Sequence, residues 1–427
     1  MTDAWQEVAV EDLAAPDPNA MSTGPFGSAI SSRFFRSSGV PVIRGGNLSV
    51  DPEVRLRDDG LVFLEPAKAA EFSRSLVRRG DLVFTSWGTI NQVGLIDDSA
   101  AYDEYIVSNK QMKLTPDTNK AVPEFLYYLF SAPEMQREIL EGAIGTGVPG
   151  FNLTRLRSLK LRIPPRPEQE RIAAAISEAD STAAHLQRRI AKQQAIRRGL
   201  LQGLLSGCLR LTGFTTSWRD VRLGDHVSYL RTVPLSRAQL DEESPLRYLH
   251  YGDIHTRVAV SLDASLEPLP RASATLAGHA GRLRPGDLVF ADASEDLAGV
   301  GKSVEIVGVP HEGVVPGLHT IAARFNKAVL ADGFKAYLQF IPAFRKSLLR
   351  LAAGTKVLAT TRSFVSSVSL ALPGLEEQRA IAEVLSDVED ELDALERRLA
   401  KARAVKHGMM QELLTGQTRL PVEGAAA

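Results

Sequence analysis

The 427-residue chain is short of several things, and each shortage excludes a class of protein. It has one cysteine, Cys208, so it can form no internal disulfide and no cysteine-based structural zinc site, which fits a reducing compartment. Aromatic residues are 6% of the chain, and no apolar run approaches the roughly 18 residues of a membrane span. The N-terminus has no basic segment followed by an apolar run, so no signal peptide is expected. Excess charge is also missing: 50 Lys+Arg against 51 Asp+Glu leave a net charge of −1. That excludes a strongly basic chain, but a sum says nothing about patches, and patches steer ligands. What is present is the composition of a folded, cytoplasmic protein of several domains, 44% hydrophobic and 24% charged.

The chain repeats itself once. Pro164-Pro165-Arg166-Pro167-Glu168-Gln169-Glu170-Arg171-Ile172-Ala173 superimposes on Pro373-Gly374-Leu375-Glu376-Glu377-Gln378-Arg379-Ala380-Ile381-Ala382 at a shift of 209 positions. The same shift pairs Leu186 with Leu395, Lys192 with Lys401, Gly199 with Gly408 and Gly207 with Gly416. Each copy reads as one long helix. Ile172, Ile176, Ala179, Ala183, Leu186 and Ile190 make an a/d seam, as do Ile381, Leu385, Val388, Leu392, Leu395 and Leu399. Prolines block a helix before each seam, and Gly207 and Gly416 are natural stops after it. About 40 residues at 1.5 Å each predict a rod of roughly 60 Å.

The segments before each helix are related too. Gly80-Asp81-Leu82-Val83-Phe84 resembles Gly286-Asp287-Leu288-Val289-Phe290, a turn feeding a strand. Amphipathic helices broken at Pro133 and Pro342 follow, then Gly145-Thr146 and Gly354-Thr355, while Trp5 and Trp218 open the two halves. The expected fold class is α/β (α+β): two globular domains and two long antiparallel coiled-coil helices, related by an internal pseudo-twofold repeat. The expected boundaries are 1–152 for the first domain, 153–210 for the first long-helix region, 211–361 for the second domain and 362–427 for the second long-helix region and tail.

The chemistry motifs are decoys. Gly299-Val300-Gly301-Lys302-Ser303 ends like a phosphate loop, but position 296, where such a loop needs glycine, is Asp. Gly145 to Gly150 spells a dinucleotide fingerprint, yet follows a helix instead of a strand. The eight histidines show no metal spacing, and neither a nucleophile elbow nor an amino-methyltransferase motif is present. No catalytic residue, metal site or cofactor site is therefore expected on this chain. What remain are basic and polar loops able to hold phosphates or read base edges. In the first half the candidates are Ser28, Arg44, Asn47, Trp87, Thr89, Asn91, Lys110, Thr146 and Asn152. In the second they are Arg231, His250, Tyr251, Ser294, His319, Lys356, Thr360 and Arg362.

The duplicated Pro-x-x-x-Glu-Gln-x-x-Ile-Ala helix, ending in Gly199-Leu-Leu-Gln-Gly-Leu-Leu-Ser-Gly207 and Gly408-Met-Met-Gln-Glu-Leu-Leu-Thr-Gly416, resembles the specificity subunits of type I restriction-modification systems. The Gly-Asp-Leu-Val-Phe strands and Gly24-Pro25-Phe26-Gly27-Ser28 are similar to that family's target-recognition domains. The resemblance implies a non-catalytic DNA-binding subunit reading a bipartite double-stranded target with a fixed gap. It implies that the helices, through Ile172, Ile176, Leu186, Ile190, Ile381, Leu385, Leu392, Leu395 and Leu399, serve as spacer and docking surface for two methyltransferase subunits, and through them restriction subunits. S-adenosylmethionine, ATP and Mg²⁺ would lie on those partners. The recognition loops of the two halves differ in sequence, so the target is expected to be asymmetric. The alternative is a scaffold or decoy that uses the coiled coil for protein interaction and does not bind DNA.

Overall fold

The computed structural model describes residues 5–26, 29–143, 150–294, 296–297, 299–352 and 358–421. The chain divides into two compact units, residues 1–187 with 398–427, and residues 188–397. The divide cuts through both long helices, Arg166–Ser206 and Leu375–Leu414. Each unit therefore holds one α/β domain, the N-terminal half of one long helix and the C-terminal half of the other.

In the first unit, one four-stranded sheet has the order Met21–Thr23, Gln111–Leu114, Leu82–Thr85, Val93–Leu95. A second has the order Val62–Leu64, Val40–Ile43, Glu104–Val107, Leu76–Arg78. The second unit gathers Val227–Tyr229, Thr320–Phe325, Leu288–Ala291, Ser303–Gly308 and Ser261–Asp263 into one five-stranded sheet. The duplicated Gly-Asp explains itself here. Gly80 and Gly286 sit at φ 89° and 90°, a turn that favours glycine. The carboxylates of Asp81 and Asp287 then accept the N–H of Arg78 and Arg284, each at 2.8 Å. The strands they launch, Leu82–Thr85 and Leu288–Ala291, are buried throughout.

The predicted breaks at Pro133 and Pro342 are present: helices Pro123–Ser131 and Pro133–Glu141 in one half, a 3-10 turn Lys335–Phe340 and helix Pro342–Ala352 in the other. Both long helices end at a left-handed glycine, Gly207 at φ 75° and Gly416 at φ 73°. Trp218 lies over Gly207 and Trp5 over Gly416, so close that a Cβ would touch the indole at 3.4 and 3.1 Å.

The helix pairing is antiparallel within each unit. In the first, Glu168 pairs with Arg419 and Asp180 with Lys406; in the second, Glu377 pairs with Arg210 and Glu389 with Arg197. One expectation needs correction. The N-terminal seam residues are not reserved for a coiled coil: Ile172 and Ile176 belong to the first domain's core with Phe125 and Leu161, and Ile381 and Leu385 to the second domain's with Phe334 and Leu370. Leu186, Ile190 and Leu395 are buried farther along the helices, whereas Leu392 and Leu399 are only half-buried. Likewise the stretch from residue 153 opens with a short helix, Leu153–Ser158, and a strand, Lys160–Ile163, whose Leu156, Leu161 and Ile163 are domain core.

The Glu-Gln signature of each helix start ties the helix to its domain. Gln169, 1% exposed, accepts the N–H of Val122 at 3.0 Å and donates to the carbonyls of Lys120 and Pro164 at 3.2 and 2.9 Å. Gln378 does the same to Ala331, Val329 and Pro373. Beside them the buried carboxylates of Glu168 and Glu377 each take a two-pronged arginine, Arg419 and Arg210.

Candidate nucleic-acid interface

Strands Val40–Ile43 and Glu104–Val107 run parallel, pairing Ile43 with Val107, so both chains leave the sheet at the same edge. The loops that follow carry Arg44 and Lys110 to the rim of a groove of about 590 Å³. Trp87, Thr89, Ser108, Gln92 and Gln111 complete its wall. Arg44 and Lys110 are exposed, Trp87 is 48% exposed, and among the described residues no carboxylate lines the groove. Gln111 lies at the floor, fully buried, and its Nε2 is a donor with no partner among the described residues. A buried amide donor is costly to leave unpaired. Cations at the rim, an exposed indole and an unmet amide donor below make a site for an anionic ligand that also offers acceptor edges.

The second unit builds the counterpart on different side chains. Tyr248–Leu249 pair in parallel with Val315–Pro316, and the chains leave the strands at His250 and Gly317. His250 thus takes the place of Arg44, and His319, just before the strand Thr320–Phe325, takes that of Lys110. The bridge of Trp87 to Gly150 becomes Ala293 to Ala359, exchanging an indole for a methyl group. The cavity beside it measures about 860 Å³ and is lined by Tyr251, His255, Ser294, Lys302 and His319 among others. Tyr251 packs against His250 at 4.4 Å with the rings tilted by 44°, and meets His319 edge-on at 5.4 Å. His250 Nδ1 accepts the N–H of Gly252 at 3.1 Å, which leaves the ring proton on Nε2, and burial pulls its pKa below the usual histidine value.

The profile of the type I restriction modification DNA specificity domain matches residues 70–193. Over 403 residues the chain is 22% identical to the type I restriction enzyme MjaX specificity subunit of Methanocaldococcus jannaschii, covering 90% of this chain and 88% of that one. It is 23% identical over 332 residues to the MjaVIII specificity subunit of the same organism, covering 74% and 75%. The chain is thus similar along most of its length to type I restriction specificity subunits, and residues 70–193 match their DNA specificity domain. Its fold is similar to that of the S subunit of a type I restriction-modification system from M. genitalium, with a TM-score of 0.57 over 96% of both chains at 13% identity.

Of the loop residues singled out from sequence, the fold brings Arg44, Trp87, Thr89 and Lys110 to one groove and Tyr251, Ser294 and His319 to the other. Asn47 is spent on scaffold: it is 3% exposed, accepts the N–H of Arg44 at 3.0 Å, and donates to the carbonyls of Arg57 and Asp59. Asn152 caps the helix Leu153–Ser158 by accepting the N–H of Arg155, so its carbonyl is also engaged. Asn91 is half-buried outside the groove lining. Ser294 turns its hydroxyl to the carbonyl of Asp296 at 2.7 Å, and Thr360 is buried with its N–H on Asp292. Arg231 and Arg362 are exposed away from the cavity, Arg362 donating to the carbonyl of Leu230 and covering Tyr229. Ser28, Thr146 and Lys356 lie outside the described residues.

Gln111 was not singled out from sequence, although it directly follows Ser108-Asn109-Lys110 and begins the next strand. Lys302 was set aside with the false phosphate loop. It lines the second cavity, and its ammonium donates to the carbonyl of His255 at 2.6 Å instead of facing a cradle of backbone N–H groups. Among the described residues there is no cluster of side chains able to hold a metal ion, and no helix long and apolar enough to cross a membrane.

Proposed function

We propose that this chain is the sequence-specific DNA-recognition subunit of a type I restriction-modification complex, each unit reading one half of a split double-stranded target. The observation that carries this reading is the first groove: Arg44 and Lys110 at its rim, Trp87 beside them and the unmet amide of Gln111 at its floor. Arginine and lysine hold phosphates and glutamine donates to and accepts from base edges, so the groove offers both position and readout. The second groove has Tyr251 and His319 in its lining, at the positions that correspond to Gly45 and Lys110 of the first, with His250 packed against Tyr251 in the place of Arg44. Different contact groups select different bases, and the two half-sites are accordingly unequal. The chemistry of modification and cleavage, with its S-adenosylmethionine, ATP and Mg²⁺, belongs on methyltransferase and restriction subunits docked on the helices. The test is to co-produce the chain with its methyltransferase subunit in a methylation-free host and sequence the modified adenines. A new split motif with one gap length and two unequal halves is expected. A stable complex that modifies nothing would overturn the reading.

A further inference from the structure

Besides the apolar core that each α/β domain shares with its helix pair, two polar attachments recur in both units. The first is the Glu-Gln staple at the helix start. The second is a triad. Tyr128, fully buried, donates its hydroxyl to Asp180 Oδ2 at 2.6 Å, and Asp180 forms an ion pair with Lys406 of the other long helix, itself 4% exposed. This pair is a charge contact and not an aligned hydrogen bond. In the second unit Tyr337 donates to Glu389 Oε2 at 3.4 Å, and Arg197 donates to Glu389 Oε1 at 2.8 Å. Tyr128 and Tyr337, Asp180 and Glu389, and Arg197 and Lys406 are each 209 positions apart, so the repeat exchanges the two helices and rebuilds the same triad. Asp has become Glu and Lys has become Arg while the hydroxyl–acid–base order is kept.

A partly buried ion pair of this kind, with Arg197 and Glu389 23% and 22% exposed, is a poor way to add stability, because apolar side chains of similar volume would serve as well or better. What it adds is a single geometry, since hydrogen bonds and charges have preferred directions and distances whereas apolar contacts slide. The location fits that role. Asp180 is twelve residues beyond Glu168, about 18 Å along the helix. Apolar contact near the helix start leaves a domain free to rock by small amounts, and a second directional contact farther along the helix removes that freedom. We propose that the two triads are positioning elements that set the tilt of each recognition domain on its helix pair, and thereby how many base pairs separate the two half-sites. This rests on the split-target reading above.

The triads are not equally supported. In the first unit Arg55 donates to the Tyr128 hydroxyl at 2.8 Å and to Ser177 at 3.3 Å, and Glu53 takes Arg403 at 2.8 and 2.9 Å. In the second unit Arg197 instead borders two open cavities, of about 860 and 790 Å³. Tyr337 therefore matters more than Tyr128.

The test uses the full chain with its methyltransferase subunit in a methylation-free host. Wild type should modify a motif with a single gap of n base pairs. Tyr337→Phe, which removes only the hydroxyl, should keep both half-site sequences and add modified sites at n−1 or n+1. Its preference for n over n+1 should fall about fivefold, the equivalent of roughly 1 kcal/mol for one hydrogen bond. Tyr128→Phe should relax the gap less, and Arg197→Lys, which installs the base used in the other unit, should keep it single. If Tyr337→Phe modifies nothing, the purified variant complex is titrated with duplexes of gap n and n+1, and an unchanged ratio overturns the proposal. So does a single gap in Tyr337→Phe, or altered half-site bases. A wild-type complex that yields no split motif would defeat the functional reading instead, and is told apart on that ground.

Discussion

Replacing Gln169 with Ala isolates what the repeated signature does for folding. The side chain makes three hydrogen bonds, all to backbone: one from Val122 N–H, one to the Lys120 carbonyl and one to the Pro164 carbonyl. Its site is closed to water, with Gln169 itself 1% exposed, so the orphaned groups find no replacement partner. At about 1 kcal/mol net for each bond, truncation should destabilise the first unit by roughly 3 kcal/mol. With a urea slope of about 2 kcal/mol/M, the midpoint should fall by roughly 1.5 M at unchanged slope. Urea unfolding followed by tryptophan fluorescence measures this, because Trp5 and Trp87 report on the first unit and Trp218 on the second. Gln378→Ala should do the same to the second unit through Ala331, Val329 and Pro373. Gln169→Glu provides an internal control. One oxygen could still accept from Val122, but the other would face two carbonyls unless protonated. Its folded-state pKa would be raised, so its stability should be greatest at low pH and be lost as pH rises through that value. A midpoint change below about 0.3 M in Gln169→Ala would refute the assignment of the signature to this staple.

Three further outcomes rest on other contacts. In binding titrations of the complex with its duplex at pH 8 over a range of salt, Arg44→Ala and Lys110→Ala should each reduce the steepness of log K against log salt by about 0.9, as loss of one phosphate contact does. His250→Ala should leave that slope unchanged and relax sequence preference, because the ring is held neutral by burial and by its bond from Gly252; equal slope changes at Arg44 and His250 would contradict this. The carboxyl of Glu53 is held below its usual pKa, first by the hydrogen bonds from Arg403, so its contribution is present above the ordinary glutamate range and is lost as pH falls through the depressed folded-state value. Glu53→Gln should therefore flatten the acid side of the stability curve below about pH 4.3, and a curve parallel to wild type there would rule out a stabilising pair.

The repeat, both long helices, their glycine stops and the proline breaks were all readable from spacing, because each rests on local rules of period, backbone angle and missing N–H groups. The groove residues were readable only as a pool. Arg44 and Asn47 stand three positions apart in one polar loop, yet one is exposed at the rim and the other is 3% exposed and fully bonded beneath it. Which of two neighbouring polar residues faces outward is decided by strand pairing and by carbonyls ten or more residues away, and no local pattern records that. Gln111 shows the converse, a glutamine that reads as an ordinary strand residue until the two parallel strands bring its amide under the groove.

The seams show why a heptad pattern alone overstates a coiled coil. Ile172 and Ile176 keep a/d spacing, but an α/β domain needs the same apolar stripe that a partner helix would use, and at the helix starts the domain occupies it. The stripe can serve both because the two uses occur at different heights of one helix. The polar residues that separate those heights, Asp180 and Lys406 in one unit and Glu389 and Arg197 in the other, interrupt the apolar contact at the same register in both. A duplicated ion pair at that boundary would be wasteful if packing alone mattered, since a continuous apolar seam would be at least as stable. Its recurrence, with the chemistry kept and the residues changed, is what a constraint on geometry predicts and a constraint on stability does not.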